Sequence, residues 1–268
     1  MEQAHGVRPG RNTQYMNEDR IVAHLNLHAV LQNLEELPKR DPQTAEMMRD
    51  WDISVQFIVS NGPAAWLAFK DGACTHGRGR HDAPDVKLWF RSSKHLNDMF
   101  AGTAMPIPTR GFTRLGFLKN EFTALTSRLE HFLRPENLAD GDEAGRKTNA
   151  ALSLYTGFFA VPDLAALEPT CQRVAAATPE GVLQVEVQPD GPFICLTSKD
   201  GGFTAAKGHT EMPAAKMTFR NLDVASALLG GRLDAFQAVA QGDVVLYGML
   251  PLIDNVNLIL DRVETYLG

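Results

Sequence analysis

The sequence predicts an α+β fold built twice in tandem, and three observations carry that prediction. Residues 62–102 align with 191–231 without a gap at an offset of 129, with 13 identities in 41 positions. Matching at average composition would give roughly two or three. Within each copy, stretches of period-two alternation are followed by stretches with helical spacing of apolar residues. The closing segments also agree after a small gap, since Leu125–Leu133 (LTSRLEHFL) resembles Ile259–Leu267 (ILDRVETYL).

The identities combine turn formers with core phase. Gly62-Pro63 meets Gly191-Pro192, Lys70-Asp71-Gly72 meets Lys199-Asp200-Gly201, and Phe90-Arg91 meets Phe219-Arg220. Leu67 meets Leu196, Thr75 meets Thr204, Gly79 meets Gly208, Pro84 meets Pro213, Lys87 meets Lys216, and Gly102 meets Gly231. Two domains follow, 14–134 and 148–268. The polar stretch Arg134–Lys147 reads as their linker and residues 1–13 as a frayed tail.

The strands come from alternation. Val55–Val59 and Val182–Val187 read as first strands, and Asn61-Gly62 and Asp190-Gly191 turn them into second strands. Asp71-Gly72 and Asp200-Gly201 turn into a third. In the fourth, Val86, Leu88 and Phe90 share one face against Lys87, Trp89 and Arg91. Its counterpart sets Ala215, Met217 and Phe219 against Lys216, Thr218 and Arg220, the mark of a half-buried strand.

Helices follow the strands. Asn221 and Gly230-Gly231 bracket a helix over Leu222–Leu229, and Ser92 or Ser93 with Gly102 brackets its counterpart. Leu233–Gln241 reads as a further helix, which Pro106 and Pro108 forbid in the first copy. Gly242-x-Val244-x-Leu246-x-Gly248 alternates as a strand, whereas Gly111–Gly116 does not. The closing helices carry Phe122, Leu125, Leu129, Phe132 and Leu133 in one copy and Leu252, Val256, Ile259, Leu260, Val263 and Leu267 in the other. Leu27, Val30, Leu31, Leu34 and Leu37 stripe a lead-in helix, with residues 149–161 and 163–177 supplying the second.

Composition narrows the function. With 44% hydrophobic residues the 268-residue chain builds real cores. A net charge of −6 argues against nucleic acid and against anionic membrane as partners. The three cysteines, Cys74, Cys171 and Cys195, form no C-x-x-C pair and suit free thiols in a reducing compartment. Met1–Asn12 has no apolar core, so no signal peptide is read, and no segment approaches the roughly 20 apolar residues of a membrane span. The expectation is a soluble cytoplasmic protein.

Catalytic signatures are sparse. There is no G-x-S-x-G elbow, P-loop, H-E-x-x-H or G-x-G-x-x-G before a helix. His24 and His28 stand four apart on a predicted helix with no third metal ligand in view, so a plain amphipathic helix is the simpler reading. Cys74, His76 and His81 are close in sequence but are Phe203, Ala205 and Thr210 in the second copy. No catalytic residue, metal or cofactor is expected, and the chain is read as no enzyme.

In order, these features resemble the sterol-carrier-protein family of non-specific lipid-transfer domains. The resemblance rests on Lys199-Asp200-Gly201, Pro213–Phe219, Asp223–Gly230 and Gly242–Gly248 in the second copy. In the first it rests on Asp71-Gly72, Pro84–Phe90 and the Gly102 stop. It covers about 80 residues of each copy. The resemblance implies two five-stranded, mainly antiparallel sheets covered by helices, and a lipid, sterol or fatty-acyl ligand in an apolar tunnel between sheet and helices. Its walls would be Leu67, Leu88, Phe90, Met99, Phe100, Phe122 and Leu125 in one copy. In the other they would be Leu196, Met217, Phe219, Leu228, Leu246, Val256 and Ile259. Arg78, Arg80, Arg110 and Arg114 flank the irregular region of the first copy, and Arg110 and Arg114 are candidates for an anionic head-group. The alternative is an accessory, pseudo-dimeric scaffold with a vestigial pocket that binds a protein partner.

Overall fold

The structure, a computed structural model, describes residues 11–267. The readings placed on residues 1–10 lie outside it. The first half opens with α1 (Arg11–Leu25), which continues through a π turn (Asn26–Val30) and a 3-10 turn (Leu31–Glu35) into α2 (Leu37–Arg40) and α3 (Pro42–Met48). Next come β1 (Ile53–Val59), β2 (Ala64–Lys70), β3 (Ala73–Arg78), β4 (Val86–Phe90), α4 (Ser93–Phe100) and β5 (Ile107–Arg110). The half closes with α5 (Leu115–Phe117), a π turn (Leu118–Phe122) and α6 (Thr123–Leu133). The second half runs α7 (Glu143–Leu167), α8 (Pro169–Ala177), β6 (Gly181–Val187), β7 (Phe193–Lys199), β8 (Gly202–Lys207) and β9 (Ala215–Phe219). It ends with α9 (Leu222–Leu229), α10 (Ala235–Ala240), β10 (Val244–Gly248), α11 (Leu250–Leu260) and α12 (Val263–Leu267).

The two five-stranded sheets have one topology. Their orders are β3-β2-β1-β4-β5 and, in the same sense, β8-β7-β6-β9-β10. In each, the first and fourth strands run parallel and the other pairs antiparallel, so the α+β sheets are mixed with one parallel pair. Register refines the repeat. Gln56 faces Trp66 and Lys87, and Gln184 faces Cys195 and Lys216. The first strands therefore match at 184 − 56 = 128, and the later ones at 216 − 87 = 129, so the second copy's first hairpin holds one extra residue.

Local chemistry accounts for the elements. Asp71-Gly72 and Asp200-Gly201 both take positive φ, 51° and 75° against 51° and 70°, which matches the twist of a two-residue hairpin. Ser92 Oγ accepts from the His95 N–H to cap α4, and Asn221 Oδ1 accepts from the Val224 N–H to cap α9. Gly102 and Gly231, just past these helices, adopt left-handed φ of 72° and 65°.

Several sequence expectations need correction. The fifth strand of the first half is Ile107–Arg110, upstream of Gly111–Gly116, most of which turns helical. Pro108 is tolerated because β5 is an edge strand, and the register shifts between Lys87 and Leu88 opposite it. The linker is shorter than Arg134–Lys147, because Asp142 Oδ1 accepts from the Gly145 N–H and starts α7 at Glu143. Residues 11–13 belong to α1 rather than to a tail. The second lead-in is one 25-residue helix, α7, followed by α8, with Pro162 inside the former. By length and composition α7 passes as a membrane span, yet 67% of its apolar window is buried inside the protein.

The lead-in helices bind the halves together. Along α1 and its continuation, Ala23, Leu27, Leu31 and Leu34 enter the core under the first sheet. Ile21, Leu25 and Ala29 enter the core under the second. From α7, Leu152 enters the first core, and Leu154, Tyr155, Phe158, Val161 and Leu164 the second. Both helices are apolar on more than one face because both are covered on more than one face.

Candidate functional site

Each set of expected wall residues converges on one core. In the first half Leu67, Leu88, Phe90, Phe122 and Leu125 are buried together, with Met99 and Phe100 packed against them half-buried. In the second half Leu196, Met217, Phe219, Val256 and Ile259 are buried together, with Leu228 and Leu246 against them half-buried.

Both interiors combine aromatic and aliphatic side chains. Under the first sheet, aromatic rings interlock: Trp51 stands edge-on to Phe69 at 5.2 Å and to Phe117 at 4.9 Å, and Phe122 lies 6.1 Å from Phe57. Rigid rings in such arrays fill space well. The second core holds Tyr155, Phe158, Phe203 and Phe219 beside its aliphatic residues and Met217, and the first holds the buried Met48. Around α9–α11, Leu228, Leu233, Leu246 and Met249 are half-buried against the second core. Leu229, Phe236, Val239 and Leu250 stand exposed in the same elements, Phe236 at 88%.

The head-group candidates separate. Arg110 faces Lys87 across β4–β5, on the outer face of the first sheet, and lines a pocket of about 350 Å³. Arg114 follows the left-handed Gly111 in a 3-10 turn, and its charge helps to hold the Asp85 carboxyl low, behind the Ser54 hydroxyl that donates to it. Arg80 lines the same pocket as Arg110, whereas Arg78 points to the junction of the halves.

Buried polar groups gather at that junction. Asp163 of α7 lies 3.2 Å from His24 Nδ1, 3.1 Å from His28 Nδ1 and 3.1 Å from Arg78 Nη1. Burial alone would raise the Asp163 carboxyl, but the two imidazoles and the Arg78 guanidinium hold it far below the usual carboxylate range. Asp163 is the third potential metal ligand that the His24–His28 spacing lacked; the three ligand atoms lie within 4.8 Å of one another. Arg78 already supplies positive charge there, and His28 Nε2 faces the Ala64 carbonyl at 3.2 Å, so the group is complete as an ion-pair cluster. Its counterpart is Lys207, which meets Glu35 at 2.6 Å and Glu36 at 3.0 Å. Arg78 and Lys207 align in the repeat (207 − 78 = 129). The alignment of these two cations is visible in the sequence, whereas the carboxylates they reach are set by the tertiary structure.

The thiols are poorly suited to nucleophilic work. Burial, with the Glu35 carboxylate nearby, pushes the Cys74 thiol far up, and burial beside Glu168 pushes Cys171 up to about 12. His76 is driven down to about 4 by burial, with its Nε2 donating to the Leu27 carbonyl at 2.8 Å.

No protein-family model matches the chain, and no curated protein matches it. Solved structures do. Sterol-carrier-protein domains are among its structural neighbours. The sterol carrier protein domain 2 of Helicoverpa armigera aligns at 14% identity and TM-score 0.33, covering 42% of this chain and 89% of its own. The ubiquinone synthesis protein UbiJ-SCP2 aligns at 14% identity and TM-score 0.30, covering 39% and 92%. The inverting sec-alkylsulfatase Pisa1 from Pseudomonas sp. aligns at 14% identity and TM-score 0.27, covering 55% of this chain and 29% of that enzyme.

Proposed function

We propose that this protein is a non-catalytic cytoplasmic carrier that holds a lipid, sterol or fatty-acyl chain, chiefly in its second half (148–268). The observation that carries the reading is the thin cover of the second core. That core contains the adaptable Met217, is rimmed by the exposed Leu229, Phe236, Val239 and Leu250, and is covered there by α10, which buries only Ala238. The repeated motif order that resembles lipid-transfer domains supports it from the sequence.

The mechanism is burial. Each ligand methylene transferred from water contributes roughly 0.8 kcal/mol, so a long chain needs few polar contacts. Met217, Phe219, Leu246, Val256 and Ile259 already pack on one core. Entry therefore means displacement of α10, the short helix over that core, whose Ala238 alone is buried. The test is displacement of a fluorescent fatty acid from the full chain by palmitate, with lipid extraction and native mass spectrometry of the purified protein. Met217→Trp, which fills the core, should weaken probe binding at least roughly tenfold, or 1.4 kcal/mol. Phe112→Ala, at an exposed position of the first half, should leave it nearly unchanged. Equal binding by wild type and Met217→Trp would defeat the proposal.

A second reading, a protein-docking accessory module, draws on β10. That edge strand exposes Val245 at 53% and Tyr247 at 71%.

A further inference from the structure

We propose that the outer face of the first sheet is a binding site for a phosphate-bearing anion, held by Arg80, Lys87 and Arg110. These three cations line one pocket of about 350 Å³ together with His81 and a single carboxylate, Asp82. Among the described residues none of the three makes an ion pair. The floor is the buried Gln56, whose Nε2 donates to the Gly79 carbonyl and whose Oε1 accepts from the His81 N–H. That glutamine fixes the segment carrying Arg80 over the strands that carry Lys87 and Arg110.

The second half shows what a self-neutralised version looks like. Lys216 there is the counterpart of Lys87, and its Nζ lies 2.8 Å from Glu186. His209, the counterpart of Arg80 at 209 − 80 = 129, lies 3.5 Å from the same carboxylate. The Glu186 side chain is only 8% exposed, so this counter-ion is internal. Glu186 faces Thr218 on β9 as Ile58 faces Trp89 on β4. The first half thus has isoleucine where the second has its carboxylate. Tyr247 faces Lys216 as Arg110 faces Lys87, so the first half also gains a cation where the second has a phenol.

All three exchanges make the first pocket more positive, while the glutamine and the lysine are common to both halves. Three cations gathered with one exposed carboxylate, Asp82, which pairs with none of them, favour an external anion, and two guanidiniums with an ammonium suit the oxygens of a phosphate. The site lies on the sheet face opposite the apolar core, so it does not depend on the carrier reading.

The test uses the full chain. Isothermal titration with inorganic phosphate and with glycerol 3-phosphate reads a soluble anion. Sedimentation with phosphatidylcholine vesicles, plain or doped with phosphatidic acid, reads a lipid head-group. Saturable binding in either arm is expected, and Lys87→Ala should weaken it at least roughly tenfold. Ile58→Glu, which supplies the missing carboxylate, should do the same, and thermal unfolding of both variants checks the fold. Glu186→Ile should create a second, weaker site. Failure to bind in both arms overturns the site, as does binding by Lys87→Ala within about twofold of wild type. Fatty-acid probe binding measured on the same samples keeps the failure of this site distinct from failure of the carrier reading.

Discussion

Gln56 and Gln184 show how much a single buried side chain organises. Each is about 1% exposed on the outer side of its sheet's central strand. Gln56 Nε2 donates to the carbonyls of Phe57, Ala65 and Gly79, and Gln184 Nε2 to those of Val185, Ile194 and Gly208. Leucine at either position strands a buried carbonyl and the N–H of His81 or Thr210. We expect Gln56→Leu and Gln184→Leu each to lower unfolding free energy by about 2–3 kcal/mol in urea titrations. At His76 the effect is pH-dependent. Burial brings its folded pKa down to about 4, below the ordinary imidazole value of 6.5, so between those values the unfolded chain holds a proton that the folded chain does not. Stability should fall as pH drops from about 6.5 through 4, by up to roughly 3 kcal/mol, and His76→Gln should flatten that limb. Asp163, whose folded pKa is also depressed, acts lower: its contribution is present above its unfolded pKa and lost below it.

Among the elements, α3 is held at its start by one carboxylate with two duties. Asp41 accepts from the Thr44 N–H, capping the helix, and receives Arg128 of α6 through two bonds at 2.8 and 2.9 Å. The Arg128 guanidinium in turn lies 4.8 Å over Phe132. Arg128 draws the Asp41 carboxyl down to about 2. Asp41→Ala removes a cap and leaves a partly buried guanidinium unpaired, so a loss of about 2–4 kcal/mol is expected in thermal melts. The caps of α4 and α9 and the apolar stripes of the closing helices were readable locally, whereas the Asp41 cap of α3 went unread. The Asp41–Arg128 pair was not readable locally, since 87 residues separate its partners.

For the whole molecule, the decisive feature is the reciprocity of the halves. Arg78 of the first sheet reaches Asp163 of α7, and Lys207 of the second reaches Glu35 and Glu36. Asn33 Nδ2 donates to Thr156 Oγ1 at 2.7 Å between them. Lys207→Ala leaves the buried Glu36 without its cross-half partner. Unfolding free energy should fall by about 2–4 kcal/mol. A fragment covering 14–134 exposes Ile21, Leu25 and Ala29, which the second core buries. It should self-associate in sedimentation, and added 148–268 fragment should convert it to a one-to-one complex.

The strand alternation, the two Asp-Gly hairpins, the capped α4 and α9 and the duplication itself were legible because they depend on neighbours in the chain. The spacing of residues 27–37 suggested one apolar stripe, while Ile21, Leu25 and Ala29 passed as unremarkable because a stripe says nothing about how many surfaces cover a helix. Pro108 excluded a helix but did not place β5, whose tolerance of proline depends on its lying at a sheet edge. Seven apolar residues per half were named from sequence as pocket walls, and the tertiary structure packs each set into one core. By itself the sequence determined a repeated α+β unit with its strands, turns and caps, since hydrogen-bonding and hydrophobic periods act over a few residues. Only the tertiary structure decided that Asp163 joins His24, His28 and Arg78, and that Ile58 leaves Lys87 without a counter-ion. Both depend on side chains brought together from distant strands and helices, where burial and charge, rather than spacing, set the outcome.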